Sequence, residues 1–141
     1  MEFPGILGVG LHRLRTLMRE LPLISLGPLL GIIAADMALD IMRGRYGSVL
    51  LEIAIAPLVA LAVYTTALRD HAGLSGLLLF VLGIVSAFGG SVLLTRGFTV
   101  GSGGIAIMGL RHLTVGAYAW AAIATEPPPR RRETRPAFVH A

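Results

Sequence analysis

The stretch that decides the fold is GSGGIAIMGLRHLTVGAYAWAAIAT, residues 101–125. It is long enough to cross the roughly 30 Å hydrocarbon core of a bilayer, and it carries Arg111 and His112 side by side near its midpoint. A charge at the centre of a bilayer costs from about 3 to more than about 10 kcal/mol. We therefore expect Arg111 to face protein, water or a carboxylate inside a bundle of membrane helices.

The composition of the whole chain is typical of an integral membrane protein. Of its 141 residues, 55% are hydrophobic and 14% are charged, with a mean hydropathy of +0.77, whereas a soluble domain is more polar. The net charge of +4 comes from arginines at segment ends, where topology and anionic lipid account for them, so no nucleic-acid partner is predicted. The absence of cysteine excludes disulfides and thiolate metal sites.

Three further segments of spanning length precede residues 101–125. Their predicted limits are about residues 22–42, 47–68 and 72–94. Short connections make successive spans antiparallel neighbours. The sequence therefore predicts an all-α fold, an integral membrane four-helix bundle over residues 21–125.

Both segments outside the predicted bundle are basic. In residues 1–20 apolar side chains recur at helical spacing, which predicts an amphipathic helix in the membrane interface and not a secretory signal. The recurring residues are Leu7, Leu11, Leu14, Met18 and Leu21. A simple basic cap on the first span is the alternative. Residues 126–141, rich in proline and arginine, are expected to form a disordered cytoplasmic tail.

The placement of arginine predicts the orientation of the bundle. Eight arginines fall on the side of the two termini and three on the other side. Those three are Arg43, Arg45 and Arg96. The positive-inside rule then places both termini in the cytoplasm and the chain in the cell's inner (plasma) membrane. Tyr64, Tyr118 and Trp120 fall toward the cytoplasmic ends of their spans, as expected for an aromatic belt.

The two halves of the predicted bundle resemble each other at an offset of about 50 to 54 residues. At this offset Arg43 corresponds to Arg96, and Tyr64 to Tyr118. Since both hairpins would enter the membrane from the same side, a duplication would give a parallel repeat about an axis along the membrane normal. Independent convergence on basic turns and glycines is the alternative, and both interpretations stay open.

Small residues at regular spacing predict closely packed helix faces. A small residue recurs every seven positions in the third and fourth spans, and the first span carries a small-xxx-small pair. Such faces let another backbone approach closely, so the two seven-residue rows are expected to be grooves available to partner helices. The predicted helix-packing residues are Gly27, Gly31, Gly76, Gly83, Gly90, Gly109 and Gly116.

Polar residues inside the predicted spans form the candidate site. They are Asp36, Asp40, Glu52, Arg111 and His112. Counting 1.5 Å per residue from the outer ends of the spans gives Asp36 and Arg111 similar depths, so the two can pair. Asp40 can instead form a local i, i+3 pair with Arg43. Such residues suit either a proton or ion relay or a structural clamp.

The sequence predicts neither a metal site nor a haem bound by this chain alone, and so no cofactor, while a haem or pigment shared with a partner chain stays open. Axial haem ligation needs two facing imidazoles, and His112 is the one histidine deep in a span. Zinc and copper sites need clustered ligands that this spacing does not provide. No nucleophile, phosphate-binding or dinucleotide motif is present, so the sequence predicts no enzyme.

Three hypotheses for the function follow. The first is a small accessory, assembly or scaffold subunit of a larger membrane complex, with membrane lipid and other membrane subunits or further copies as its partners. The second is a small proton- or ion-coupled transporter or channel that uses Asp36, Glu52, Arg111 and His112. The third is a phage-type holin, which also combines few spans with a basic tail. A continuous polar path would favour the second hypothesis, and apolar layers around the charges would favour the first.

Overall fold

Residues 2–68 and 73–125 are described by the structure, a computed structural model. Within these ranges the chain forms six α-helices and no strand: α1 (Gly5–Glu20), α2 (Pro22–Ser25), α3 (Gly27–Met42), α4 (Tyr46–Leu68), α5 (Leu74–Val100) and α6 (Gly103–Ile123). The prediction of an all-α fold is confirmed. The predicted tail at 126–141 and the connection at 69–72 lie outside the described residues.

Three segments are long and apolar enough to cross a membrane. They are Pro22–Met42, which contains α2 and α3, then Tyr46–Ala67 and Leu74–Val100. These segments support the prediction of a helical membrane protein. The predicted fourth span, α6, has 21 residues but is not among the three, because Arg111 and His112 lower its hydropathy.

Although it is less apolar, α6 is the helix around which the others pack. It contacts α1, α3 and α4, and it packs most extensively against α5. Its C-terminal half is buried on several sides, at Tyr118, Ala119, Ala121, Ala122 and Ile123. The helix that carries an internal arginine is thus enclosed by the chain itself, where a charge can find protein partners.

Glycines allow α5 and α6 to pack with their backbones in contact. A Cβ added at Gly90 would lie 2.8 Å from the carbonyl oxygen of Gly109, and one added at Gly109 would lie 2.8 Å from that of Gly90. A Cβ at Gly116 would lie 3.2 Å from the carbonyl oxygen of Gly83. Gly76 is also buried in α5. The expectation that both rows are open to partner helices is therefore wrong, because they pack against each other.

Gly27 and Gly31 lie on a different kind of surface. Both are exposed on α3, and a Cβ added at either would meet no described atom within 4 Å. Among the residues that the structure describes, this glycine pair is therefore not a contact between helices of the chain.

The connection between α5 and α6 is shorter than predicted. α5 continues past residue 94 to Val100, and Gly101 and Ser102 alone join it to α6. Gly101 adopts a left-handed φ of 67°, and the Ser102 amide donates to the carbonyl of Gly97 over 2.9 Å. The Ser102 hydroxyl then accepts a hydrogen bond from the Ile105 amide over 3.4 Å. A glycine stop and a serine N-cap set these bounds.

The two hairpins differ at the offset expected for a duplication. The first turns at Gly44, with a φ of 71°, directly after Arg43, whereas Arg96 lies inside α5 and the second turn comes at Gly101. The packing also differs, since α5 and α6 are in close contact along their length and α3 and α4 are not. The internal repeat stays an unconfirmed prediction.

Helix α1 packs on the bundle, against α6 and α4. Its buried residues are Gly8, Leu11, Arg15 and Met18, which follow a three-four spacing along one face. Leu7, predicted to share the apolar face, is half-exposed. The predicted N-terminal helix is therefore present, but its buried face is rotated from the predicted one and includes a charged residue.

Candidate functional site

Arg111 is the centre of an ion cluster that joins three helices. Its Nη1 lies 2.6 Å from Oδ2 of Asp36 on α3, and the same nitrogen pairs with Oε1 of Glu52 on α4. The exposed fraction of the side chain is 3% for Asp36, 15% for Glu52 and 21% for Arg111. We call these three residues the ion cluster. Because opposite charges attract strongly where little water screens them, the cluster holds α3 and α4 against α6.

The ion cluster holds more negative than positive charge. One guanidinium faces two carboxylates, and among the described residues Oε2 of Glu52 and Oδ2 of Asp36 are buried without a hydrogen-bond partner, the latter in ion-pair contact only. Charges interact strongly at low dielectric, so two carboxylates this close repel each other unless a positive group lies between them. The position of Arg111 between Asp36 and Glu52 provides that group.

A second ion pair lies where α3 turns into α4. Oδ1 of the buried Asp40 lies 3.7 Å from Nη1 of Arg45, whose side chain is 52% exposed. The left-handed Gly44 lets the Arg45 amide donate to the Asp40 carbonyl over 2.8 Å, which brings the two residues together. Arg43, the i, i+3 partner predicted for Asp40, has its guanidinium against Gly104 at the start of α6.

His112 is held by its own helix. Its Nδ1 lies 2.8 Å from the carbonyl oxygen of Met108, one turn earlier on α6. Since a carbonyl oxygen can only accept, Nδ1 is the donor in this contact, and Nε2 of the neutral ring is then an acceptor.

A cavity of about 390 Å³ lies beside the ion cluster, walled by α3, α4, α5 and α6. Its polar lining comprises Asp40, Arg45, Ser48, Glu52, Ser86, Arg111 and His112. Its apolar lining comprises Ile33, Leu51, Ile55, Ala56, Val59, Leu82, Met108 and Val115. Asp40, Arg45 and Ser48 lie at or next to the α3–α4 turn. Val59 lies about three turns of α4 beyond Ser48, and Val115 about two turns of α6 beyond Met108. The cavity is therefore polar at the end near the α3–α4 turn and mainly apolar at its other, inner end.

A packed apolar core lies beyond the inner end of this cavity. Its members include Leu29, Val63, Leu79, Ala119 and Ala122, none more than 6% exposed. Val63 follows the lining residue Val59 by one turn of α4, and Ala119 follows Val115 by one turn of α6. In the described part of the chain, the polar groups of the cavity thus have an apolar layer on one side.

Arg15 is a key buried residue that the sequence analysis missed. Its Nη1 donates to the carbonyl of Ala124 over 2.7 Å, and its Nε to that of Ala67 over 3.4 Å. These carbonyls lie at the C-terminal ends of α6 and α4, where helical carbonyls lack partners and the helix dipole favours a cation. Its burial could have been predicted from its spacing, because Arg15 lies four residues after Leu11 and three before Met18 and so shares their helix face.

Two aromatic residues assigned to a membrane belt are anchors inside the bundle. Tyr118 is buried, and its hydroxyl donates to the carbonyl of Ser25, beside the break between α2 and α3. The indole of Trp120 donates to the carbonyl of Phe80 over 3.2 Å, and its ring lies against Gly83. The belt assignment does not describe these two residues, because each directs its polar atom to a backbone carbonyl of another helix of the same chain.

Comparison with known protein families, curated proteins and solved structures finds no match to this chain. Among the described residues there is also no group of three or more His, Cys, Asp or Glu that could hold a metal ion. The fold and the site together define a class: an all-helical protein with three helices apolar enough to cross a membrane, and a buried ion cluster beside an amphipathic cavity.

Proposed function

We propose that the chain is a four-span membrane protein that acts as an accessory, assembly or scaffold subunit of a larger membrane complex or homo-oligomer. The observation that carries this proposal is the ion cluster, which joins α3, α4 and α6 and has a packed apolar core next to it. Such an arrangement suits a structural clamp, and a clamp makes the bundle a rigid support. As the fourth span, α6 keeps Arg111 away from lipid because other helices surround it.

Helix α3 offers a surface for a partner helix. Gly27 and Gly31 are exposed with empty space beside them, and the exposed Ala35 and Ala38 continue the same face. Small residues let two membrane helices approach closely enough for their backbones to make van der Waals contact. This face supports association, either with another subunit or with a second copy.

Native mass spectrometry of the protein, released from its own membrane in mild detergent, tests the scaffold proposal. We expect an assembly heavier than the 14.9 kDa chain, and we expect Gly31→Leu to dissociate it by blocking the small-residue face. Gly89→Leu is the matched control, because a Cβ at Gly89 also meets no described atom within 4 Å. A wild-type protein that is only monomeric, or equal behaviour of the two variants, contradicts the proposal.

We further propose that both termini are cytoplasmic. Arg15 connects the N-terminal helix to the C-terminal ends of α4 and α6, so residues near both termini lie at one end of the bundle, and arginine is enriched there. Single cysteines test this, since the chain has none of its own. Thr99→Cys should react with an impermeant maleimide in intact cells, and Arg135→Cys only after permeabilisation. The opposite pattern inverts the proposed orientation.

A proton- or ion-coupled transporter or channel is the second candidate, and the cavity favours it because Glu52, Arg111 and His112 line one continuous space. A pH-sensitive dye enclosed in proteoliposomes separates this candidate from the first. We expect no proton flux above that of protein-free liposomes. A flux that Glu52→Gln abolishes and Glu20→Gln preserves would establish conduction instead.

The holin hypothesis depends on the basic tail, which lies outside the described residues.

A further inference from the structure

We propose that the cavity binds an amphiphile with a cationic head and an alkyl chain. The cavity follows α4 from Ser48 to Val59, which is about 16 Å of helix. Its volume of about 390 Å³ lies in the lower part of the range for small-molecule sites. Its polar end is at the α3–α4 turn, at one end of the bundle, where the headgroup region of a bilayer lies. An amphiphile in the leaflet next to this turn would place its head at the polar end of the cavity and its alkyl chain along the apolar inner part.

The charges around the cavity favour a cationic head. Two carboxylates, of Asp40 and Glu52, and two guanidiniums, of Arg45 and Arg111, line the cavity, and Asp36 contacts Arg111 from outside the lining. Arg111 is already engaged by two carboxylates, and Arg45 is half-exposed, so water screens its charge. A carboxylate or phosphate entering this space would meet surplus negative charge, whereas an ammonium group would neutralise it.

Glu52 is the residue that presents this surplus charge to the cavity. Its Oε1 pairs with Arg111, while its Oε2 is buried without a hydrogen-bond partner among the described residues. A buried carboxylate oxygen left unpaired is unfavourable, and a cationic group placed against it restores the missing interaction. Glu52 therefore marks the position of the cationic head.

The inner part of the cavity fits an alkyl chain. Ile55, Val59, Leu82 and Val115 line it, and none of its lining residues is aromatic. Aliphatic walls of this kind favour burial of methylene groups, with a gain that rises with chain length. Ser86 is the one polar residue contributed by α5 to the lining. All lining residues belong to this chain, so the ligand proposal can be tested independently of the scaffold proposal.

Calorimetric titration of the full-length protein in zwitterionic nanodiscs tests the head-group preference. The probe is octyltrimethylammonium, the matched anion is octyl sulfate, and empty nanodiscs give the partitioning blank. We expect saturable one-site binding of the cation, at least about ten-fold tighter than that of the anion. Glu52→Gln should weaken cation binding about ten-fold, because Arg111 and Asp36 then balance each other. Glu20→Gln, at an exposed position on α1, should leave it unchanged.

A second variant tests the apolar part and keeps the inference open to refutation if Glu52→Gln proves unstable. Ala56→Phe should fill the cavity and abolish the increase in affinity from hexyl- to octyltrimethylammonium that we expect for the wild type. Equal binding of cation and anion, tighter binding of the anion, or an unchanged chain-length dependence in Ala56→Phe each overturns the inference. Binding by a purely monomeric protein would support it while contradicting the scaffold proposal.

Discussion

Arg111→Ala is expected to destabilise the protein more than any other single removal of charge. It takes away the guanidinium that lies against both Asp36 and Glu52, and so leaves a buried and a largely buried carboxylate facing each other. Breaking a buried ion pair by removing one partner costs about 3–5 kcal/mol, and here both remaining groups carry the same charge. We expect a low yield of folded protein and a large fall in Tm, measured by circular dichroism in detergent.

Removal of the carboxylates should reverse this loss in steps. Adding Asp36→Ala to Arg111→Ala should restore only part of the stability, because Glu52 remains buried, and adding Glu52→Gln as well should restore most of it. The coupling energy among the three positions is then large. Arg45→Ala is the control, since Arg45 is half-exposed and contacts one carboxylate over 3.7 Å, so its loss should cost less than the loss of Arg111. No recovery in the triple variant means that the cluster is not a clamp.

Gly109→Ala is expected to have the second-largest effect. The added Cβ would lie 2.5 Å from the Leu94 amide nitrogen and 2.8 Å from the Gly90 carbonyl oxygen, and these backbone atoms can move only if α5 and α6 separate. Overpacking of this kind costs about 1–3 kcal/mol or more. The free energy of unfolding, measured by titrating the detergent-solubilised protein with sodium dodecyl sulfate, should fall accordingly.

Gly89→Ala provides a matched control for the glycine contact. Gly89 is the neighbour of Gly90 on α5, but a Cβ there meets no described atom within 4 Å. Alanine is the better helix former by roughly 1 kcal/mol, so this variant should be neutral or slightly stabilised. If Gly109→Ala and Gly89→Ala unfold alike, α5 and α6 are not packed through their glycines.

The sequence was most informative where one physical rule acts alone. Hydropathy located the three apolar spans, and comparison of depths suggested that Asp36 and Arg111 can pair, because helical rise converts residue number directly into depth. It did not place Glu52 against Arg111. That contact depends on how far α4 is shifted along α6 and on two long side chains reaching toward each other, and neither follows from residue counting.

The glycine rows show a second limit. Their seven-residue spacing predicts that each of α5 and α6 has a smooth face, but periodicity does not say what covers that face. The answer depends on the two-residue connection at Gly101 and Ser102, which brings the rows together as antiparallel neighbours. Residues 95–100 around Arg96, which the hydropathy pattern predicts to connect two spans, instead form the last turns of α5.

The contact between Arg15 and Ala124 has a consequence for the order of assembly. It joins residues 109 positions apart, so the docking site of α1 is complete only after the last helix has been made. Ribosomes add about 5–20 residues per second, so several seconds pass between synthesis of Arg15 and synthesis of its partner Ala124. The contacts of α1 with α6 therefore form late, whereas its contacts with α2 and α4 can form earlier. A nascent chain that has not reached Ala124 thus presents the basic helix α1 before its docking site is complete.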